Sequence, residues 1–548
     1  MEETLHTVVA EALKEQGVED ASFVIEWPGD LAHGDFATNA ALSASKALGK
    51  NPRELADLLA ESLRKKLDGV VESISVAGPG FINFTLTRDS IVKQIQSVEN
   101  NNVWGKGNTL EGRRVIVEYT DPNPFKELHV GHLMNNVIGG AIAGLTENDG
   151  AQVIRACYQG DVGPHVAKAL WGLQQNGVTE PETAKQLGEA YALGAKAYEE
   201  SEDVKKEIDD LNTAVYEGKD TILMELWRKG RDVSLSAFEQ LYKILGTHFD
   251  YYFFESETSV PGKEMVLDGA LKGVFVESQG AIIYEGEKKG LHTLVFITSK
   301  GNPTYEAKDV GLAYLKEERC APYDESIIIT GSEQVGHFKV FLAALGDLAP
   351  TLAKKTRHIP HGFLRLTEGK MSSREGNVIT ASGLIQEVIE KSMEKNDDPL
   401  VATQVAIGAI KYMILRSAPG GDIIFDPEKS LSLDGDSGPY LQYALVRASS
   451  LIAQASKDAD ETVSEISTDL ERLLIRFPKV LSRSREEQAP HKLIQYLTLL
   501  ASEWNSFYAQ GKIIGSEGEL YKLSIAKAFV ATMKHGLTVL AIPTPERM

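Results

Sequence analysis

His129-Val130-Gly131-His132 sets two imidazoles three positions apart, directly after an apolar run and at the head of a helix-like stretch. The chemistry open to such a pair is anion handling. At a helix start the first backbone N–H groups lack intrahelical partners and the macrodipole favours negative charge, so two ring donors there would follow charge onto a pentacoordinate α-phosphate. Gly131, without a side chain, would let a flat adenine ring lie against the backbone. The same two histidines also suit half of a zinc site, but no further ligand cluster is legible to complete it. Far downstream, Lys370-Met371-Ser372-Ser373 occupies a polar stretch between Gly369 and Gly376. A loop carrying an ammonium and hydroxyls suits transient neutralisation of pyrophosphate, closing on the transition state and opening for product. Near the C-terminus Arg472, Arg476, Lys479 and Arg483 recur at four, three and four, which on one helix makes a basic stripe for phosphates, with Pro478 placed to kink it. The neighbouring Tyr440, Tyr443, Trp504, Phe507 and Tyr508 suit either base stacking or a bundle core.

These residues need elements to hold them. The apolar run Val115 to Tyr119, the loop Thr120 to Val130, a helix from about Gly131 and a second strand from Gln152 to Ala156 read as a parallel βαβ unit. Leu294 to Thr298 and Ser326 to Thr330 read as strands that complete a doubly wound sheet. Between them, Pro181 to His248 is polar and helical in period, an inserted helical hairpin whose bland reading is a solvated surface element without chemistry. Ahead of the core, Asn51-Pro52-Arg53-Glu54 joins an N-cap asparagine, a first-turn proline and an N3 glutamate, so a helix should run to about Lys66. Val71 to Val76 and Phe81 to Leu86 follow as strands about the turn Gly78-Pro79-Gly80. The asparagine- and glycine-rich stretch Glu99 to Gly112 reads as a boundary, and beyond Asp426 the pattern is helical almost to the end. The expected fold is therefore α/β, a doubly wound parallel-sheet core (106–380, insertion about 181–248). An N-terminal α+β domain (1–105), a connecting helical segment (381–425) and a C-terminal all-α bundle (426–548) flank it.

The chain's 548 residues allow three or four domains, and 43% hydrophobic with 25% charged residues is ordinary for a globular protein. The net charge of −21 disfavours indiscriminate adhesion to nucleic acid or anionic lipid, so an RNA partner must be met by local basic patches. Two separated cysteines, Cys157 and Cys320, exclude a disulfide framework or zinc ribbon. No apolar run reaches the roughly 20 residues of a membrane span, and the polar N-terminus is unlike a signal peptide, so the expectation is a cytoplasmic protein.

The pair His-Val-Gly-His and Lys-Met-Ser-Ser, in this order and on these elements, resembles the class I aminoacyl-tRNA synthetases. Glu118-Tyr119-Thr120-Asp121-Pro122-Asn123-Pro124-Phe125-Lys126-Glu127-Leu128 ahead of it resembles the signature of arginyl-tRNA synthetases. The likeness runs along the chain. His33-Gly34-Asp35-Phe36-Ala37-Thr38-Asn39 is similar to that family's N-terminal domain, taken to touch the tRNA elbow, and Gly438-Pro439-Tyr440-Leu441-Gln442-Tyr443-Ala444 to its anticodon-binding domain. Ser373 stands where many class I enzymes carry a second lysine, and the resemblance assigns the missing charge to Lys126. Met134 and the Tyr158 to Gly163 stretch also depart from the common pattern and mark a divergent, bacterial-type branch.

The resemblance implies ATP-dependent ligation of L-arginine to tRNA(Arg) through arginyl-adenylate. His129, His132, Lys126 and Lys370 would be catalytic, and Gly131, Met371 and Ser372 would join the histidines and Lys370 in binding ATP. Glu118, Asn123, Tyr305, Asp309 and Gln334 would bind arginine, whose planar five-donor fork needs fixed carboxylates. Tyr443, Arg472, Arg476 and Arg483 would bind tRNA. Magnesium would arrive with ATP, with no protein-built metal site and no membrane partner, and the chain would act as a monomer. Two other readings use the same residues: a nucleotidylyltransferase acting on a small acceptor, and a catalytically silent tRNA-binding regulator.

Overall fold

The computed structural model describes residues 1–99, 101, 103–366, 380–455 and 460–548. The chain forms two compact units. One holds Met1–Gly105, Arg447–Lys479 and Leu499–Lys534, and the other Lys106–Val446, Val480–Thr498 and His535–Met548.

The second unit is built on five parallel strands in the spatial order Thr356–His361, Glu325–Gly331, Arg114–Glu118, Gln152–Gln159, Tyr251–Phe254. Arg114–Glu118 lies in the middle because it is apolar on both faces, with Val115, Ile116 and Val117 all buried. The chain winds outward from it in both directions, so the order reverses between Arg114–Glu118 and Glu325–Gly331. In such a sheet the crevice beyond the carboxyl ends of those two strands is the binding position.

Two sequence expectations are corrected here. Leu294–Ile297 does not join the parallel sheet; it pairs antiparallel with Ala281–Tyr284, which pairs in turn with Val276–Ser278, in a separate three-stranded sheet. Gln279 and Gly280, both at positive φ, fold that hairpin, and alternation alone cannot tell which sheet a short strand joins. The parallel sheet instead takes the aromatic strand Tyr251–Phe254 and the polar-looking Thr356–His361. The insertion is not a hairpin but three helices, Ala184–Glu200, Glu202–Glu217 and Thr221–Leu245. Ser201 ends the first and caps the second, its hydroxyl accepting from Val204 N, a break a helical period does not reveal.

In the first unit, a four-stranded antiparallel sheet runs Ile25–Glu26, Phe36–Thr38, Phe81–Leu86, Val71–Ala77. The helix Pro52–Lys66 starts as its capping residues require, with Asn51 Oδ1 accepting from Arg53 N at 2.9 Å. Gly34 holds φ +108°, and a Cβ there would meet Phe84 O at 2.6 Å, so no other residue fits that bend. Beyond Asp426 the described residues contain no strand. No helix among the described residues is long and apolar enough to cross a membrane.

Candidate active site at the carboxyl end of the central strands

His129 is the N-cap of the helix Val130–Asn148. Its Nδ1 accepts from Gly131 N at 3.0 Å, while His132 Nδ1 accepts from His129 N at 3.3 Å. The two rings stack with centroids 3.8 Å apart. Because both Nδ1 atoms accept, both rings carry their proton on Nε2, and each has one outward donor left. Burial pushes both pKa values down, and the positive charge of Lys126 acts the same way, so the rings are neutral at pH 7.

This arrangement corrects the helix-start reading in two ways. The Gly131 N–H is taken by the cap and the His132 N–H by His129 O, so neither is open to an anion, whereas each ring keeps its Nε2–H. A Cβ on Gly131 would lie 2.8 Å from His129 Cε1, so the glycine is required by the imidazole cap itself.

The loop leading to the cap is strained and pinned. Thr120, Asp121 and Phe125 all hold positive φ. Thr120 Oγ1 accepts from Asn136 Nδ2, Asp121 Oδ1 from Tyr158 N, and Phe125 N donates to Ser234 Oγ of the insertion. Lys126 projects over the ring of Tyr191, 4.3 Å from its centroid, and has no carboxylate partner among the described residues. After the 367–379 stretch, Thr380 forms an isolated antiparallel bridge with His129, and Ala381 N donates to Leu128 O at 2.7 Å. Lys370, Met371, Ser372 and Ser373 lie outside the described residues.

Beside the histidines is a nest of paired charges. Glu118, only 2% exposed, meets Lys316 at 2.6 Å; burial pushes its carboxyl up, and Lys316 opposes this. Glu255 meets Lys308 at 2.5 Å; burial raises the acid to about 7, while Lys308 is held above its ordinary value by Glu255 against burial. Buried Asp161 accepts from Ser256 N and Oγ and from Arg231 Nη1 at 3.0 Å. Asp309 Oδ2 takes His337 Nε2 at 2.5 Å, and His337 Nδ1 faces Glu306 at 3.4 Å. Asp121 is pushed well up by burial and by the charge of Glu118.

Of the residues expected to hold arginine, the structure draws four towards this nest. The charge of Asp309 acts on Glu118, Glu255 and Tyr305, raising each of them. Tyr305, one turn earlier on the helix Tyr305–Cys320, is 57% exposed and free to cover a ligand. Asn123 Oδ1 and Glu255 Oε1 converge over Gly160, where a Cβ would lie 2.3 Å from the amide oxygen. Glu118 and Asp309 both line a small void of about 10 Å³, room for about one water. Gln334 stands apart: it is exposed on the short helix Ser332–Gln334, and its neighbour Glu333 is felt electrostatically at His129 and His361.

The insertion is not inert. Trp227 Nε1 donates to Asp161 O, Arg231 grips the Asp161 carboxylate, and Tyr216 lies 5.5 Å from Lys308. Those partners were invisible in the sequence, where they read as a charged solvated face. Val162, at the position that departs from the common pattern, is buried in one apolar cluster with Phe125, Val166 and Leu226. A cavity of about 700 Å³ lies elsewhere in this unit, lined by Tyr119, Arg155, His248 and Lys411 and by none of the expected site residues.

The basic stripe is also corrected. Arg472 belongs to the helix Asp469–Leu474, whereas Lys479 and Arg483 belong to Phe477–Glu486, because Pro478 cannot continue the earlier ladder. Each charge is already used: Arg472 pairs with Asp35 at 3.4 Å, Arg476 lies over the Trp27 ring, Lys479 meets Glu2, and Arg483 meets Glu487. Tyr443 is 39% exposed, whereas Trp504 is fully buried and stacks on Phe529.

Residues 94–426 match the model of the class I (R) tRNA synthetase catalytic domain, residues 3–86 that of the arginyl tRNA synthetase N-terminal domain, and residues 441–548 that of the DALR anticodon binding domain. An arginine–tRNA ligase of Borreliella burgdorferi is 30% identical over 90% of each chain, and one of Flavobacterium psychrophilum 28% identical over 91% of this chain and 90% of its own. The arginyl-tRNA synthetase of Thermus thermophilus superposes with a TM-score of 0.82 at 26% identity, covering all of both chains. A catalytic-domain match across more than half of the length, on a sheet whose crevice holds a histidine pair beside paired carboxylates, settles the family: the chain belongs to the class I arginyl-tRNA synthetases.

Proposed function

We propose that this protein joins L-arginine to tRNA(Arg) at the expense of ATP, in two steps. The arginine carboxylate attacks the α-phosphate of ATP, forming the mixed anhydride arginyl-adenylate and releasing pyrophosphate. The 2′-hydroxyl of the terminal adenosine of the tRNA then attacks the anhydride carbonyl, and AMP leaves. Neither step needs a dedicated protein base; both need alignment and charge stabilisation.

The observation that carries this reading is the stacked pair of neutral rings at the head of Val130–Asn148, each with an outward Nε2–H, at the end of the strand that also presents Glu118. Two fixed donors there meet the charge that develops on the α-phosphate oxygens. Lys126 adds a cation, and Gly131, Lys370, Met371 and Ser372 complete the ATP contacts in this reading, with magnesium entering as part of the ATP complex. Asp309 and Asn123 receive the guanidinium, Tyr305 covers it, Glu118 contributes a buried negative field, and Gln334 orients the amino-acid end. Tyr443, Arg472, Arg476 and Arg483 serve tRNA, the three arginines after exchanging their present partners for phosphate. The protein works as a cytoplasmic monomer.

Aminoacylation of unfractionated tRNA with each of the 20 amino acids in turn tests the reading. Charging with arginine alone is the expected result. Charging with another amino acid, or none, refutes it.

A further inference from the structure

The charges around the arginine pocket cancel in pairs, and the remainder points to one residue. Glu118 cancels Lys316, Glu255 cancels Lys308, and Asp161 cancels Arg231. Asp121 is pushed well up by burial and by the charge of Glu118. Two carboxylates are left, Glu306 and Asp309, on adjacent faces of the first turns of Tyr305–Cys320, and they share one cation, the His337 imidazolium. The triad therefore holds one net negative charge, the charge that a single guanidinium neutralises.

Its geometry assigns that charge to Asp309. The short bond from His337 Nε2 occupies Asp309 Oδ2, while Asp309 Oδ1 accepts no hydrogen bond among the described residues. The imidazole is itself held: its plane is within 7° of parallel to Phe341 and stands edge-on to Phe338 at 5.2 Å, with Phe338 stacked on His358. A carboxylate clamped through one oxygen presents the other in a fixed direction, which a planar fork demands.

We propose that His337 is a positioning residue for the amino-acid pocket: by bridging Glu306 and Asp309 it fixes the free oxygen of Asp309 towards the guanidinium and leaves the triad with one net negative charge for it to neutralise. This deepens the arginine reading above and rests on it. The pKa of the imidazole is consistent with a permanent cation. Burial works against the charge, but the hydrogen bonds to Asp309 and Glu306 outweigh it and hold the value at about 10.

The test is steady-state aminoacylation by the full chain carrying His337→Phe, which keeps a ring between Phe338 and Phe341 but no donor, and His337→Gln, which keeps one donor without the charge. The expected result is a rise in arginine KM of at least tenfold for the Phe variant, with kcat and the KM for ATP within threefold of the parent, and a smaller rise, about three- to tenfold, for Gln. Combined with Asp309→Asn, the Phe change should add less than twofold to the arginine KM of Asp309→Asn alone, because both act through one carboxylate. An unchanged arginine KM, a loss confined to kcat or ATP binding, or additive effects in the double variant would each overturn the proposal. If the Phe variant does not fold, the Gln variant decides by the same KM comparison. Failure of the parent chain to charge arginine refutes the reading beneath, whereas normal charging with an indifferent His337 refutes this inference alone.

Discussion

The imidazole of His132 lies beneath that of His129 with the planes 21° from parallel, each ring accepting a backbone N–H through Nδ1. One local motif thus caps the helix, selects the tautomer and leaves each ring an Nε2 donor. The dual use separates two effects that a simple deletion would mix.

Replacing His129 with Asn keeps a strong N-cap acceptor but shortens the donor's reach. Helix stability should change by no more than about 0.5 kcal/mol, while adenylate formation, read as arginine-dependent ATP–pyrophosphate exchange, falls about 100-fold, the usual cost of one misplaced transition-state donor. A comparable loss of folded protein and activity would mean that the ring serves only as a cap.

The same cap sets a pH expectation. Both histidine pKa values are depressed, so the rings stay neutral above the ordinary value of 6.5 and protonate only in more acid solution. Protonating Nδ1 removes its ability to accept and breaks the cap as it adds charge. Exchange activity should therefore show no histidine-dependent step between pH 6.5 and pH 8; a midpoint inside that window that persists in Glu255→Gln and disappears in His129→Asn would contradict the burial argument.

Lys126 has no carboxylate to hold, unlike most cations in this nest. Lys126→Met retains the apolar stem against Tyr191 and removes the charge. Adenylate formation should fall by about two to three orders of magnitude with tRNA affinity within a few-fold, checked by exchange assay and filter binding. Near-normal exchange would dismiss the assignment of the missing class I charge to this lysine.

The Asp161 carboxylate accepts from Ser256 N and Oγ within the core and from Arg231 of the insertion, and burial raises its carboxyl against Ser256 and Arg231. In Asp161→Asn one acceptor becomes a donor facing Arg231, at a cost of roughly 2–4 kcal/mol. The effect should be local, appearing as faster amide exchange along Thr221–Leu245, the helix that carries Arg231 and Trp227. Unaltered protection there would show that the insertion is held by its apolar cluster alone.

Lys411 is 2% exposed and donates to Leu245 O at 2.6 Å and Ala541 O at 2.5 Å. Burial lowers its pKa from 10.5 to about 7. Below about pH 7 the amine is protonated in folded and unfolded chains alike, and the folded form bears the cost of the buried charge. Above it the folded chain releases the proton while the unfolded chain retains it up to its ordinary pKa, so stability rises with pH, by at most about 1.4 kcal/mol per unit from this group. Thermal midpoints of the wild-type chain should climb from pH 7 to 9, and Lys411→Met should flatten that climb. Parallel curves for both would show that the amine does not titrate there.

Local signals carried much of the fold. The Asn51 cap, the apolar run before Thr120 and the Gly-turn between Val71–Ala77 and Phe81–Leu86 each act within a few residues, so the chain states them directly. The His-Val-Gly-His motif is likewise local, and its histidines do stack where the helix begins. Sheet membership was less legible. Leu294–Ile297 and Glu325–Gly331 look alike as apolar runs, but only the second finds parallel partners on both sides.

What the sequence by itself determined is therefore the local grammar: where helices start, where the turns fall, and which two histidines stand at a helix head. Tertiary structure alone decided the state of every charge in the pocket. Glu118 meets a lysine from the Tyr305–Cys320 helix, Asp161 an arginine from the insertion, and Asp309 a histidine that follows the next strand. The reason is the range of the forces: caps and turns act between neighbours in the chain, whereas the field at a buried carboxylate depends on whichever cation the fold brings within a few ångströms.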